Sequence, residues 1–402
     1  MTCETPAAKP GARFWWLDCI RGMAILWIVY FHFFCAYNNG TRYPWVLSRD
    51  FFPEFLANCA PASFLYGLDC IGQSLYVALV QLGFHCVGVF LVASGFGLTY
   101  SLAKTGNPAG GWTDWYKKRL LRLFPMYWAA HLIYLVSPFV TKAEPVDYRF
   151  FLSFIGERIW PLDMIFYYAN PAWWYFALLL QLYVVFPVLF RFLQRLGATG
   201  FLVVCGAFTL VTRYLLLEVL HADGNYLQGA FFGSRLFEFA AGMAFGLWSR
   251  QRPLQVEKSL FSRGGLALGF ATYALGILSY RWLVAYTATD ALTGVGLFII
   301  LAHGAMAGGK VAGVAPSLAY VGAYSYGLYL IHQPYVLYAG ERMRGLNLPM
   351  FTLGAGAIVA VLALGAIGLE RFVNELTNLV LGKGKVQPAS ASAPGGTGSP
   401  QG

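Results

Sequence analysis

The sequence is poor in charge. Asp, Glu, Lys and Arg together make up only 11% of its 402 residues, whereas 58% are hydrophobic and 17% are aromatic. Soluble domains carry about 25% charged residues, because their surfaces must be covered by groups that water solvates. The shortage of charge therefore excludes a soluble globular protein of ordinary composition.

Several motifs that carry chemistry are also missing. The seven cysteines lack the spacing of a zinc site, no glycine-rich loop precedes a GK[ST] triplet, and no GxSxG pentapeptide occurs. We therefore expect no bound metal and no permanently bound cofactor. Cys59 and Cys70 lie in one predicted loop, where a disulfide and two small buried hydrophobic side chains are both compatible with the sequence.

Apolar runs of about 20 residues recur along the chain, and this is the length that a bilayer-spanning helix requires. The first run, residues 14–37, is too long for the core of a cleaved signal peptide. The pattern predicts an all-α, polytopic integral membrane bundle with about ten transmembrane helices. The predicted spans are 14–38, 75–103, 120–141, 172–190, 199–220, 229–248, 264–284, 291–308, 316–339 and 349–370.

The net charge of +10 follows the predicted membrane topology. Most lysines and arginines fall on one set of alternate connections, such as the one before the third span, and few fall on the other set. By the positive-inside rule this asymmetry predicts that both termini are cytoplasmic. The basic excess thus orients the protein in the membrane and does not indicate nucleic acid as a partner.

The chain divides into three predicted regions. Residues 1–13 form a cytoplasmic N-terminal segment, and residues 14–373 form the membrane domain. Residues 374–402 end in KVQPASASAPGGTGSPQG, which is rich in Pro, Gly and Ser and low in hydrophobic residues. We predict a disordered cytoplasmic tail there.

Arg21 and His32 stand out within the first span, because ionisable groups are costly in a bilayer. Eleven residues separate them, so they share one helix face and differ in depth by about 16 Å. Asp18 lies one turn before Arg21 and can pair with it. On spacing alone, His32 is equally compatible with a catalytic role and with packing between helices.

Seven segments, in order, resemble the motifs of the acyltransferase-3 family of integral membrane O-acyltransferases. The first carries the family's signature of Arg, ten residues and His. The segments are FWWLDCIRGMAILWIVYFH (14–32), GVFLVASGFGL (88–98), WYKKRLLRLFPMYW (115–128), WWYFALLLQLYVVFPVL (173–189), SRLFEFAAGMAFG (234–246), YSYGLYLIHQP (324–334) and LERFV (369–373). One departure is Leu179, where many members carry Glu, so no role for that carboxylate is carried over.

The resemblance implies an enzyme that moves an acyl group, acetyl by default, from cytoplasmic acyl-coenzyme A to a hydroxyl of an extracytoplasmic carbohydrate. Such a transfer needs a base or a nucleophile. We predict that His32 is the base or the acyl carrier. His332 is a second catalytic candidate that could orient His32 or the acceptor, and packing between helices explains it nearly as well. Arg21 would lie beside the donor.

The donor is polyanionic, and the start of the third span offers basic residues on the predicted cytoplasmic side. Arg119 and Arg122 share a helix face where amide donors also favour phosphate. We predict that Arg119, Arg122, Arg21 and Lys118 bind the donor. Positive-inside anchoring explains Lys118 about as well.

The predicted outer loops are rich in aromatic residues, as in TRYPWVLSRDFFPEFL and YYANPAWW. Aromatic faces suit sugar rings, but they also anchor proteins at the membrane interface. We predict that Trp173, Trp174 and Tyr175 contact the acceptor. Arg235 and Glu238 are spaced to form a buried pair, which is interpreted first as structural and second as acceptor-positioning.

Two other functions remain open. A transporter or flippase would also place polar residues at mid-depth, and a scaffold in a glycan-export system could bind without catalysis. The ordered motifs favour the enzyme, which the resemblance places in a bacterial cytoplasmic membrane in contact with lipid. The sequence leaves the acyl group, the acceptor and the oligomeric state undetermined.

Overall fold

The computed structural model describes residues 14–40, 42–48, 50–57, 64–140, 146–159, 168–222, 229 and 231–382. In these residues the chain forms α-helices and short 3-10 segments and no strand, which confirms the predicted all-α class. The first helices in chain order are α1 Trp15–Asn38, α2 Phe51–Ala57, α3 Phe64–Gln81, α4 Cys86–Leu102, α5 Gly111–Val136, α6 Tyr148–Phe154, α7 Trp174–Tyr214 and α8 Leu236–Gln251. The others are α9 Pro253–Leu260, α10 Arg263–Ser279, α11 Leu283–Tyr286, α12 Thr289–Gly308, α13 Val314–Ala323, α14 Ser325–Arg342 and α15 Leu348–Val380.

Each predicted span overlaps at least one of these helices. Within the described residues, five helical segments are long and apolar enough to cross a membrane, and a sixth is if α9 and α10, which meet at 64°, form one bent span. The chain is therefore an integral membrane protein, and the count of ten and the cytoplasmic termini stay predictions. The five segments are Trp15–Asn38, Asp69–Leu102, Pro171–Val219, Thr289–Gly308 and Leu348–Val380.

Two helix breaks change how the predicted spans connect. The fourth and fifth predicted spans both lie in α7, as two helical segments that meet without a loop at Gly197, whose φ of 68° and ψ of 171° are not helical. The ninth is divided between α13 and α14 at Tyr324. At the C-terminus α15 continues to Val380, which lies inside the segment predicted as tail. The segments 1–13 and 383–402 lie outside the described residues.

Helix α1 occupies the centre of the bundle, where it contacts α3, α4, α12, α13, α14 and α15. At its crossing with α13, two glycines allow the backbones of the two helices to come into contact. A Cβ atom on Gly22 would lie 2.0 Å from the Leu318 carbonyl oxygen, and one on Gly322 would lie 1.8 Å from that of Asp18. Small residues allow such backbone contact between helices in membranes, so α1 and α13 are held at one fixed distance.

A second close crossing joins α4 to α8. A Cβ atom on Gly95 would lie 2.1 Å from the Phe239 carbonyl oxygen, and one on Gly242 would lie 2.0 Å from that of Val92. Gly95 belongs to the Ser-Gly-Phe element of the sequence, and the close approach explains why a glycine is needed there.

The described cysteines include free thiols and a disulfide-bonded residue. Cys19, Cys35, Cys86 and Cys205 are free thiols, whereas Cys70 is buried and disulfide-bonded. Cys59, which the sequence offers as its partner, lies outside the described residues.

Candidate active site

A cavity of about 940 Å³ lies beside α1 and is lined along the helix from Asp18 and Arg21 to His32. Its other walls come from α4, α5, α7, α13 and α14. Of the residues predicted for the site, eight line this cavity, namely Arg21, His32, Arg119, Arg122, Trp174, Tyr175, Arg235 and His332. Residues that lie far apart in the sequence therefore meet in one space.

The two candidate histidines are in direct contact. His32 Nδ1 lies 2.8 Å from His332 Nε2, and the rings are nearly parallel, with centroids 5.1 Å apart and an interplanar angle of 17°. His332 Nδ1 lies 2.8 Å from the carbonyl oxygen of Tyr329 and 3.1 Å from that of Leu328. The sequence predicted both histidines, and the structure places them together.

These contacts define the tautomers of a neutral pair. Carbonyl oxygens only accept, so His332 Nδ1 carries a proton and donates it, and His332 Nε2 is left as an acceptor. His32 Nδ1 must then donate to His332 Nε2, which leaves the lone pair on His32 Nε2. No hydrogen bond to His32 Nε2 is formed by the part of the chain that the structure describes. His32 Nε2 is therefore the atom of this pair that can take a proton or an acyl group.

The Arg21 region of the cavity is cationic. Arg21 Nη1 lies 3.2 Å from Asp18 Oδ1, and its other terminal nitrogen is 3.4 Å from the Ala93 carbonyl oxygen. The Arg119 guanidinium lies over the Trp115 ring, 5.2 Å from its centroid, and the buried Nε has no hydrogen-bond partner among the described residues. Within the described ranges, neither Arg119 nor Arg122 forms an ion pair. This region therefore has cationic groups available for an anion, and Lys118 is exposed away from it.

A buried ionic cluster lines another part of the cavity. Arg235 Nε lies 2.6 Å from Glu238 Oε1, and its Nη1 lies 3.3 Å from Asp290 Oδ1. Arg213 Nη1 lies 2.5 Å from Asp290 Oδ2. Two arginines and two carboxylates thus balance each other, as buried charges require. Arg235 and Asp290 reach the cavity, whereas Glu238 lies behind Arg235 and is fully buried.

The family model for the acyltransferase-3 domain, described as an acyltransferase domain, matches residues 14–369 of the chain. The chain belongs to this family. It is a membrane acyltransferase, and the family predicted from the seven motifs is confirmed. No curated protein and no solved structure matches the chain.

The aromatic residues predicted to contact the acceptor of this acyltransferase lie in two different environments. Trp174 and Tyr175 line the cavity, whereas Trp173 is buried behind its wall, where Nε1 donates to the Leu330 carbonyl oxygen at 2.8 Å. Leu179 also lines the cavity, so the position of the missing family carboxylate is an apolar part of the wall. The roles of the predicted site residues stay predictions.

A further aromatic group lies beside the catalytic candidate His32. Phe31, Trp45 and Phe84 line the cavity, with ring centroids 5.4–6.4 Å apart, and Phe31 lies 5.2 Å from His32. Trp45 remains 42% exposed. Its loop is fixed by the buried Gln81, which accepts from Val46 N at 2.6 Å and donates to the Pro44 carbonyl oxygen at 2.9 Å. We call Phe31, Trp45 and Phe84 the aromatic mouth.

Sequence reasoning missed several of these residues. Asp290 and Arg213 were not assigned to the site, although an aspartate at the start of an apolar span is itself a signal. Trp45 was noted only as part of an aromatic loop. Glu370 lies within the closing motif LERFV, lines the cavity and accepts from Gly327 N at 2.8 Å, which caps the start of α14. No cluster of three possible metal ligands occurs in the described ranges.

Proposed function

We propose that this acyltransferase moves an acyl group, by default acetyl, from cytoplasmic acyl-coenzyme A to a hydroxyl group of an extracytoplasmic carbohydrate. The enzyme would work in the cytoplasmic membrane of a bacterium. The observation that carries the proposal is His32, which is hydrogen-bonded to His332 through Nδ1 and lines a cavity that a cluster of arginines also lines.

The arginine region supports a polyanionic donor. Arg119 and Arg122 form no ion pair within the described residues, although Glu370 lies close enough to Arg122 for their charges to interact. Planar guanidinium groups suit phosphate oxygens. Arg21 and His32 are separated by about 16 Å along α1, a distance comparable with an extended pantetheine arm. Coenzyme A phosphates at the arginines would therefore place the thioester near His32. Arg21 would then lie beside the bound donor.

The chemistry at His32 follows from its free lone pair. In direct transfer, His32 Nε2 removes the proton of the acceptor hydroxyl, and the oxygen attacks the thioester carbonyl. The carbon–sulfur bond then breaks, and the coenzyme A thiolate takes the proton back from His32. In the covalent alternative, His32 Nε2 attacks the thioester carbonyl first, and coenzyme A leaves as the thiolate. The acyl-imidazolium then transfers its acyl group to the hydroxyl oxygen, and the hydroxyl proton passes through His32 to the thiolate. In both routes His332 holds His32 in the reactive tautomer.

The aromatic mouth supports a carbohydrate acceptor. A fixed and partly exposed Trp45 beside Phe84 offers a flat apolar face on which a sugar ring can stack, with a hydroxyl directed toward His32. Trp174, Tyr175 and Arg235 line the same cavity and can supply polar contacts. Trp173 and Glu238 lie behind this wall, and a direct contact with the acceptor is less compatible with their position.

Label transfer tests the proposal. Inverted membrane vesicles that contain native glycan are given radioactive acetyl-coenzyme A, and native protein is compared with His32→Ala. We expect label in a glycan fraction only with the native protein, together with release of coenzyme A. Cys35→Ala serves as the matched control, because Cys35 lies one turn from His32 on the same helix.

The negative result is also informative. If neither protein transfers label, and longer acyl-coenzyme A donors also fail, the donor and acceptor assignments are wrong. The transporter or scaffold functions that the sequence left open would then be the better explanation of the cavity.

A further inference from the structure

Helix α14 contains an internal proline two residues after His332. Pro334 has no N–H group, so it cannot donate to the carbonyl oxygen four residues earlier, which belongs to Leu330. A buried carbonyl without a donor is costly. The Leu330 residue is fully buried, so its carbonyl must be satisfied from outside the helix.

Two side chains from another part of the chain supply the missing donors. Asn170 Nδ2 donates to the Leu330 carbonyl oxygen at 3.0 Å, and Trp173 Nε1 donates to the same oxygen at 2.8 Å. Both come from residues 168–173, which we call the clamp segment. The proline thus creates an attachment point on α14, and the clamp segment occupies it.

Further bonds join the two elements on either side of His332. Ala172 N donates to Gln333 Oε1 at 2.5 Å, and the Tyr329 hydroxyl donates to the Ala172 carbonyl oxygen at 2.7 Å. Tyr329 is also the residue whose carbonyl oxygen accepts from His332 Nδ1. The clamp segment therefore contacts the helical turn that sets the tautomer of His332.

The clamp segment is itself fixed from behind. The fully buried Arg158 donates to the carbonyl oxygens of Tyr168 at 2.7 Å and Asn170 at 3.3 Å. Between them, Ala169 has a φ of 60°, a left-handed conformation that a non-glycine residue adopts only when its surroundings enforce it. His131 stacks on Trp173 with ring centroids 3.8 Å apart. These contacts make the segment a rigid support.

We propose that Trp173 and Asn170 are positioning residues, which fix the turn 328–333 through the proline-freed carbonyl of Leu330 and so hold His332 against His32. This inference rests on the proposed function, because it assigns these residues an effect on the rate of acyl transfer. It gives Trp173 a role in orienting the histidine pair in place of the predicted contact with acceptor.

A double-mutant cycle isolates this bond. Trp173→Phe removes the indole donor, and Pro334→Ala restores a backbone N–H that can donate to Leu330. The volume lost from Trp173 is the same in both backgrounds, and Asn170 can donate to Leu330 in both. The difference between the backgrounds therefore reports the coupling between the Trp173 donor and the carbonyl that Pro334 leaves free. Trp128→Phe is the matched control, because Trp128 Nε1 also donates to a carbonyl oxygen, but to that of Phe154 in α6, at 3.0 Å.

The primary measurement is the release of coenzyme A from acetyl-coenzyme A in membranes with native glycan. We expect Trp173→Phe to lower kcat between about tenfold and a hundredfold with KM for acetyl-coenzyme A unchanged, since small displacements of catalytic groups are that costly. In the Pro334→Ala background the same substitution should lower kcat less than threefold. Trp128→Phe should leave kcat unchanged.

Thermal unfolding in detergent provides a readout that does not depend on activity. One contrary result is that the Trp173 and Pro334 substitutions are non-additive in the unfolding temperature and yet additive in kcat. That result would show a purely structural bond and overturn the positioning role. Equal losses of kcat in both backgrounds would overturn it as well. If native protein releases no coenzyme A, the proposed function fails, and the unfolding cycle still tests the bond to Leu330.

Discussion

If His332 orients His32, the effect of a substitution at position 332 depends on whether the new side chain keeps a hydrogen-bond acceptor at the position of Nε2. His332→Ala removes the acceptor for His32 Nδ1, so the ring can rotate and exchange tautomers. His332→Gln carries an amide oxygen close to the position of Nε2, which can still accept from His32. His332→Asn reaches only as far as Nδ1 and leaves His32 Nδ1 without an acceptor.

The magnitude follows from what His332 does. A positioned general base contributes 10²–10⁴-fold in general, and His332 only orients that base, so its removal cannot cost more than this. We expect kcat to fall on the order of 10²-fold in His332→Ala and in His332→Asn. His332→Gln should stay within about tenfold of native protein, because one neutral hydrogen bond is worth about 1 kcal/mol.

The assay is release of coenzyme A from acetyl-coenzyme A in membranes that contain native glycan, with KM measured beside kcat. His332 is fully buried, so the quantity of folded protein is checked by thermal unfolding for each variant. The reasoning is refuted if the Asn variant is as active as the Gln variant, or if the Ala variant keeps more than half of native kcat.

Three further substitutions test other parts of the structure. Gly322→Ala should destabilise the protein by about 1–3 kcal/mol, since overpacking costs that much. Gly365→Ala should leave the unfolding temperature unchanged, because its Cβ would meet no described atom within 4 Å beyond the neighbouring backbone of its own helix. Asp290→Asn removes the partner of two buried arginines and should cost about 3 kcal/mol of stability, and an unchanged unfolding temperature would contradict the ionic cluster. Arg119→Ala should raise KM for acetyl-coenzyme A about tenfold, with a smaller effect at high salt. Lys118→Ala should change KM little, because Lys118 does not line the cavity. Equal effects of the two substitutions on KM would show that lining the cavity does not identify the residues that bind the donor.

The sequence was most informative where the signal was local. Apolar length predicted helices at every span, because a helix in lipid satisfies its own backbone. The spacing between Arg21 and His32 placed both on one face of α1, and the structure has both on the cavity wall. These features depend on a single helix, so periodicity is sufficient to find them.

Features that require two distant helices were harder to predict. The contact between His32 and His332 joins α1 to α14 across 300 positions of sequence, and the motifs suggested it only as one possibility. Trp173 was expected to face the acceptor, because aromatic residues in a loop resemble a sugar platform. Its indole N–H donates to the Leu330 carbonyl oxygen, which Pro334 leaves without a helical donor, and that relation appears only when the two segments are placed side by side.

The close backbone crossings at Gly22, Gly322, Gly95 and Gly242 limit how the helices around the cavity can move relative to one another. Helices that touch through their backbones must separate before they can slide, and α1, α4 and α13 line the cavity. A carrier that alternates between two open states has to move such walls. The crossings here oppose such sliding, and under the proposed function no wall has to move. The thioester arm of the donor would enter the cavity while its charged head stays on the original side, and only the acyl group would pass to the other side.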